Sequence, residues 1–410
     1  MPHVTDTSLP HSLAASAGFA TTQDTGATTD AVTDLVSEIH EHAVPAFAAS
    51  ALDRLHGSLY ASFRHLELCD AVQPTPHTWV TYRRGEVIGV LLFRMRGAKV
   101  IVLTEMIELA QGIADEFCRA VFSRFAYAET VCFNAISLSH PLPGLVQQQY
   151  AFSENYVIQL PHNVDDYHAA LGKSTRKTIR GYGNRLRRDH PDLRWEVLQG
   201  TDMRRDELRR FIRQLLVFKQ ASMAMRGKRA EISLHETARM MKLASETGLI
   251  GIARLGDRIC GGSLACRVGD NYVMLLSAAD LALESYRLGM LCCFWSVCDC
   301  IRAGARECHL LWGRYQYKTQ LLGNSRTLYR LTIYRSPLQM VLSPSTVMRM
   351  AWMSLRFRLR NWLLGHSNDS GEGVSRLART AQQIARGIVF RLQRGRALHR
   401  SHLPAASQSK

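Results

Sequence analysis

Residues 249–279 read LIGIARLGDRICGGSLACRVGDNYVMLLSAA. Three strand-length apolar runs lie in it, Leu249–Leu255, Arg258–Val268 and Asn271–Ala279. The two-residue breaks Gly256-Asp257 and Gly269-Asp270 predict tight hairpins between them. The period then changes. From Ser285 to Ala303, apolar residues recur at Leu288, Leu291, Cys292, Trp295, Cys298 and Ile301, the spacing of a buried helix, with Gly304 at its C-cap. Glu307–Trp312 reads as a strand ending at Gly313, Gln316–Leu322 as a short helix, and Arg326–Arg335 alternates like one more strand.

Upstream, Leu193–Leu198 is a strand pattern. Helices follow at Asp202–Phe218, with Thr201 as N-cap, and at Leu234–Thr247, with Ser233 as N-cap. A basic loop, Met223–Arg229, joins them. The order from 193 to 335 is therefore β-α-α-β-β-β-α-β-α-β. A doubly wound sheet would alternate strand and helix throughout, so this is a different α/β (α+β) architecture.

This order resembles the acyl-CoA-binding half of the GNAT acyltransferase fold. The segment Gly313-Arg314-Tyr315-Gln316-Tyr317-Lys318 resembles the Gly…Tyr-Lys signature of the CelD/BcsL-type branch, which is related to FemAB-like proteins and linked to bacterial polysaccharide synthesis. The resemblance covers about residues 156–337 and implies an acetyl-CoA or other acyl-CoA co-substrate, with no metal. It implies that Tyr286, Arg287, Leu288, Gly289 and Met290 meet the CoA pyrophosphate at a helix N-terminus, where free N–H groups and the helix dipole favour anions. Only Gly289 is kept from the family's glycine-rich loop. The resemblance further implies that a backbone N–H of Asn271–Ala279 polarises the thioester carbonyl, that Tyr315 or Tyr317 protonates the leaving thiolate, and that Lys318 pairs with a ligand phosphate or a buried carboxylate. His309, Asp280 and Glu231 are the candidate bases for the acceptor amine, although a histidine inside an apolar strand is more often a satisfied core residue.

Composition narrows the alternatives. The 410 residues are ample for more than one domain. No run of eighteen apolar residues occurs, so no membrane span is expected. Walker A, Gly-x-Ser-x-Gly and His-Glu-x-x-His motifs are missing from the sequence, which argues against NTPase, hydrolase and zincin readings. The ten cysteines form no Cys-x-x-Cys pair; reduced, buried thiols of a cytoplasmic protein are expected.

Residues 1–30 are Thr/Ala/Ser-rich, lack the pattern of a secretory signal and are expected to be disordered. Residues 31–69 show helical spacing at Leu52, Leu55, Leu59, Phe63 and Leu66. Strand patterns at His77–Arg83, Glu86–Met95 and Val100–Leu103, a helix at Gln111–Ala126 and a strand at Thr130–Ser137 follow. We read 31–155 as a degenerate first half of a tandem GNAT-like fold, without a phosphate loop, and 156–337 as the catalytic half. Tyr156–Leu160 is expected to be a strand crossing between them.

The net charge of +16 is concentrated in Lys173–Arg188 and beyond Ser345, which points to an anionic partner. Val164–His190 is helical, with Asn163 as an N-cap and Ser174 a possible second one. Arg176 and Arg180 are candidate substrate-binding residues, weighed equally against a solvated basic face. Residues 338–410 form a basic tail. In it Thr346–Leu364 places Met348, Trp352, Leu355, Leu359, Trp362 and Leu363 on one arc beside Arg349, Arg356 and Arg360, and Val374–Leu392 is a second amphipathic pattern. Such helices either dock on an anionic membrane surface, here the inner face, or pack on the domain.

The reading is a cytoplasmic acyltransferase that acylates an amino or hydroxyl group of a small molecule, with a sugar or glycan precursor implied by the resemblance alone. The alternatives are aminoacyl transfer from tRNA and a non-catalytic scaffold; nucleic acid is the less expected partner.

Overall fold

The computed structural model describes residues 35–138, 142–227 and 233–366. The expected disorder of 1–30, the candidate base Glu231 and the amphipathic pattern at 374–392 lie outside the described residues.

The first part of the chain forms β1 (Leu35–His40), α1 (Ala46–His56), α2 (Phe63–Leu68), β2 (His77–Arg83), β3 (Glu86–Arg96), β4 (Lys99–Val102), a two-residue β5 (Ile107–Glu108), α3 (Gln111–Arg124), β6 (Thr130–Ser137) and β7 (Gln147–Gln159). Next come α4 (Val164–Ala170), α5 (Lys173–Asp189), β8 (Leu193–Gln199), α6 (Arg205–Met225), α7 (Leu234–Thr247), β9 (Gly248–Leu255), β10 (Arg258–Val268), β11 (Asn271–Ala279), α8 (Leu288–Arg302), β12 (Glu307–Leu311), α9 (Gln316–Gln320) and β13 (Asn324–Tyr334). Two C-terminal helices, α10 (Pro337–Leu342) and α11 (Pro344–His366), complete it.

The two-residue turns predicted after β9 and β10 form. Leu255 pairs with Arg258 and Val268 with Asn271, while Gly256 and Gly269 both take φ of 56°. Helix α6 carries Asp206 and Glu207 in its first turn and buries Leu208, Phe211, Ile212 and Leu215 at 3–4 spacing. It starts at Arg205, beyond the Thr201 cap expected for it. Ser233 and Asn163 do cap α7 and α4, accepting from the N–H groups of Glu236 and Asp166. Ser174 caps nothing: α5 begins one residue earlier at Lys173, with Gly172 before it.

The helical reading of 31–69 is corrected. Leu35–His40 is a strand antiparallel to β2, and two separate helices follow it. Leu35 and Ile39 satisfy both periods, so spacing alone misled there. Pro45 delays α1, and Gly57, in the left-handed region at φ 52°, ends it.

All strands join one sheet in the order β1-β2-β3-β4-β6-β13-β7-β12-β11-β10-β9-β8, with β5 beside β6. The order is a repeat turned on itself. On each side an antiparallel meander (β1–β4, β8–β11) leads through a crossover helix (α3, α8) to a parallel strand (β6, β12). The closing strands are exchanged. β7, from the first repeat, pairs with β12 of the second, while β13, from the second, pairs with β6 of the first. β7 and β13 then pair with each other from Gln147–Ile333 to Val157–Asn324. Cores lie on both sheet faces. In the second repeat one gathers α8 residues such as Leu288, Phe294 and Val297, and the other gathers α6 and α7 residues such as Phe211 and Leu243.

Candidate active site

β11 and β12 run parallel for only three residue pairs, Asn271–Glu307 to Val273–His309. Beyond Val273, β11 continues to Ala279 paired with β10 alone, so the two strands part and a wedge opens at their C-terminal ends. A chain that turns from β11 into α8 brings a helix N-terminus to the end of that wedge. Arg287 forms the junction, a non-glycine residue in the left-handed region (φ 50°, ψ 40°) after a helical Tyr286. This right-then-left succession turns consecutive N–H groups to one side, the geometry of an anion nest. Arg287 N–H bonds Glu284 O, and those of Met290 and Leu291 bond Arg287 O. Leu288 and Gly289 are the first residues of the helix, whose N–H groups have no intrahelical acceptor.

The surroundings are basic. The Arg185 guanidinium lies 4.9 Å from the centroid of the Tyr286 ring, and that of Arg287 5.4 Å from Tyr182. Tyr286 donates to Asp189 at 3.2 Å. Arg188, with Tyr286 and Arg185, holds the Asp189 carboxyl below its usual range, so it stays ionised. A Cβ placed on Gly289 would meet only the Cβ of Ala279, at 3.9 Å. Alanine would therefore fit, whereas a longer side chain would project along the end of β11. These residues fit the pyrophosphate of a CoA.

At the other side of the wedge, β12 ends in two backbone reversals, Leu311 (φ 58°) and Gly313 (φ 98°). They aim the carbonyls of Leu311 and Trp312 at the Lys318 ammonium, which donates to them at 3.0 and 2.7 Å. Lys318 is 2% exposed, and its Nζ lies 5.1 Å from the ring centroid of Tyr156 and 5.8 Å from that of Tyr315. Burial lowers its pKa to about 8. Among the described residues no carboxylate comes within ion-pair distance. Tyr315 and Tyr317 stack with centroids 6.0 Å apart. Burial raises the Tyr317 phenol above its usual range, so it remains a donor. The Arg226 guanidinium, from the loop after α6, lies 5.5 Å from the Tyr315 ring.

The remaining candidates are engaged in other contacts. His309 points to the opposite face of β12 from the α8 core, into a cleft of about 240 Å³ between the two repeats. There it bonds Asn155 at 3.0 Å and Glu307 at 3.0 Å, and Glu307 also accepts from Arg326 and Gln159. Asp280 accepts from Ala282 N–H and is ion-paired with Arg258. Arg176 and Arg180 line a separate cavity of about 430 Å³ between α5 and α8, floored by Trp195, Phe294 and Trp295. Gly183 lies on its wall and Gly181 does not; α5 runs unbroken through both, and neither has a neighbour within 4 Å of a built Cβ. The site thus brings together Tyr286–Met290 on one side and Tyr315, Tyr317 and Lys318 on the other. Sequence reasoning missed Tyr156 and Arg226, which reach it only through tertiary packing. Among the described residues no group of His, Cys, Asp or Glu is arranged to hold a metal ion.

Residues 173–319 match the family model described as an acetyltransferase (GNAT) domain. No curated protein matches the chain. The crystal structure of FemX superposes with a TM-score of 0.53 at 11% identity, covering 74% of this chain and 99% of that one, a likeness of fold. A conserved protein of unknown function from Bacteroides thetaiotaomicron superposes at 0.47 with 10% identity, over 70% of this chain and 95% of that one. A tandem GNAT protein from the clavulanic acid biosynthesis pathway superposes at 0.36 with 11% identity, over 73% and 98%. The parted strands and the α8 N-terminus fall within the matched residues, so residues 173–319 are similar to a GNAT acetyltransferase domain, set within a fold of two repeats.

Proposed function

We propose that the protein transfers an acyl group from acyl-CoA to an amino or hydroxyl group of a sugar or glycan precursor, in the manner of CelD/BcsL-type acyltransferases. The observation that carries this is the parting of β11 from β12 beyond Val273 with the α8 N-terminus at its mouth. Bound there, acyl-CoA would supply the activated thioester. The chain's residues do the rest. Leu288 and Gly289 N–H groups and Arg287 hold phosphate, while the Lys318 ammonium places a positive charge where negative charge develops. The phenol of Tyr315 or Tyr317 holds the proton that a departing thiolate needs. The Arg226 guanidinium, 5.5 Å from the Tyr315 ring, would meet an acceptor that approaches this phenol.

Calorimetric titration with acetyl-CoA tests the reading. Micromolar binding that Gly289→Glu abolishes and Gly289→Ala spares is the expected result. No binding to the parent protein would reject it. Aminoacyl transfer from tRNA would then be the reading to pursue, since Arg176, Arg180 and Arg187 line one cavity wall free of carboxylates; RNA binding that weakens steeply with salt would mark it.

A further inference from the structure

Helix α11 has apolar residues on both sides, and only one side is covered. Its inner side rests on β7 and its neighbours: Met350 is buried, Thr346 accepts from Lys99 at 3.0 Å, and Tyr150 donates to the Met353 sulfur at 3.3 Å. These contacts fix the helix's rotation. Met348, Trp352, Leu355 and Leu359, spaced at 4, 3 and 4, therefore form a stripe facing away from the protein. Leu338, Val341 and Leu342 of the preceding helix α10 are exposed as well. These seven side chains are 54–74% exposed, whereas large apolar side chains on a folded surface are ordinarily scattered singly.

Charge identifies what covers the stripe. From Pro337 to His366 the sequence holds four arginines, at 349, 356, 358 and 360, and no Asp, Glu or Lys. Arg349 and Arg356 flank the stripe and are exposed. The sequence beyond, 367–410, adds seven arginines and one lysine against Asp369 and Glu372. A second copy of this chain would bring the same uncompensated arginines against these. A bilayer with anionic headgroups accepts both features at once, apolar side chains at the acyl boundary, with Trp352 at headgroup depth, and guanidinium groups on the lipid phosphates. No described helix is long and apolar enough to cross a membrane, so the contact is one of lying on the surface.

We propose that α10 and α11 form an interfacial platform that seats the protein on an anionic lipid surface, with the stripe Met348–Trp352–Leu355–Leu359 inserted.

The test is co-flotation of the full chain with phosphatidylcholine vesicles with and without phosphatidylglycerol. The full chain should float with anionic vesicles only, and added salt should weaken binding. Trp352→Glu/Leu355→Glu should lower the partition coefficient at least about tenfold with an unchanged circular dichroism spectrum, while Trp352→Phe keeps most of it. Parent protein that stays with neither vesicle overturns the proposal. So does a double variant that floats as well as the parent, which would move binding to 367–410. A parent dimer that the double variant makes monomeric would show a second copy to be the cover, and overturns it too.

Discussion

The Lys318 ammonium donates to the Trp312 carbonyl at 2.7 Å from inside the core, with no carboxylate in ion-pair reach among the described residues. A buried lysine held only by carbonyls and aromatic faces carries its charge at a cost, which is why its pKa falls to about 8 from an ordinary 10.5. Over the window between those values the unfolded chain binds a proton that the native chain does not. Stability contributed by this group therefore rises with pH from about 8 and levels off above 10.5. The difference in unfolding free energy between the parent and Lys318→Met should widen in the parent's favour by about 1–3 kcal/mol from neutral pH to about pH 10. Urea titrations at both ends check it, and a constant difference would contradict the charged, unpaired assignment. Acyl transfer that uses the ammonium should decline through the same window.

Arg287 holds two properties in opposition. Its left-handed backbone is unfavourable for a residue with a Cβ, by about 1–2 kcal/mol, yet that backbone forms the nest and its side chain supplies charge. Arg287→Gly should leave stability unchanged or raise it by up to about 1 kcal/mol, whereas Arg287→Ala should lie below it by a similar amount. Both should weaken acetyl-CoA binding several-fold. Thermal melts and calorimetry on the pair separate the two roles, and an Ala variant as stable as the Gly variant would deny the strain.

Glu307 anchors the polar cluster between the repeats. Burial alone would raise its pKa, but hydrogen bonds from His309, Arg326 and Gln159 outweigh it and hold the carboxyl far below the usual carboxylate range. A depressed carboxylate stabilises the fold above the unfolded value and loses that contribution as pH falls below about 4.5. Glu307→Gln should therefore cost about 1–3 kcal/mol at neutral pH, because it removes the carboxylate that accepts from His309 and Arg326, and progressively less under acid conditions. Unfolding curves for parent and variant that stay equally far apart down to about pH 3 would refute it.

What the sequence disclosed follows from which interactions are local. β9, β10, β11 and the crossover helix α8 were readable because each rests on its own periodicity and has Gly256, Gly269 or Gly304 at an end. The outward arc of α11 was readable for the same reason, although which side faces solvent was not. β1 was lost because Leu35 and Ile39 fit two periods, and its strand character comes from pairing with Tyr82 and Trp79. The burial of Lys318 has no local signal at all: a lysine reads as surface until Leu311 and Gly313 turn their carbonyls onto it. His309 was read as a mid-strand histidine, and it is indeed satisfied on both ring nitrogens by groups from β7 and β12.

The exchanged strands carry the last prediction. β13 lies between β6 and β7, and β7 lies between β13 and β12, so each repeat is completed by a strand from the other. A piece ending at residue 160 would leave β6 and β7 with open edges where β13 belongs. A piece beginning there would leave β12 without β7 and β13 with no partner on either side. Unpaired strand edges expose rows of backbone groups and invite aggregation. Neither piece should therefore give a cooperative melt alone, whereas co-expression should return a stable complex, because the long β7–β13 ladder forms without a covalent link. The intact protein should unfold in one urea transition reported equally by fluorescence and circular dichroism. Two separated transitions, or a first piece that folds alone, would show that the exchange of β7 and β13 does not bind the repeats into one cooperative unit.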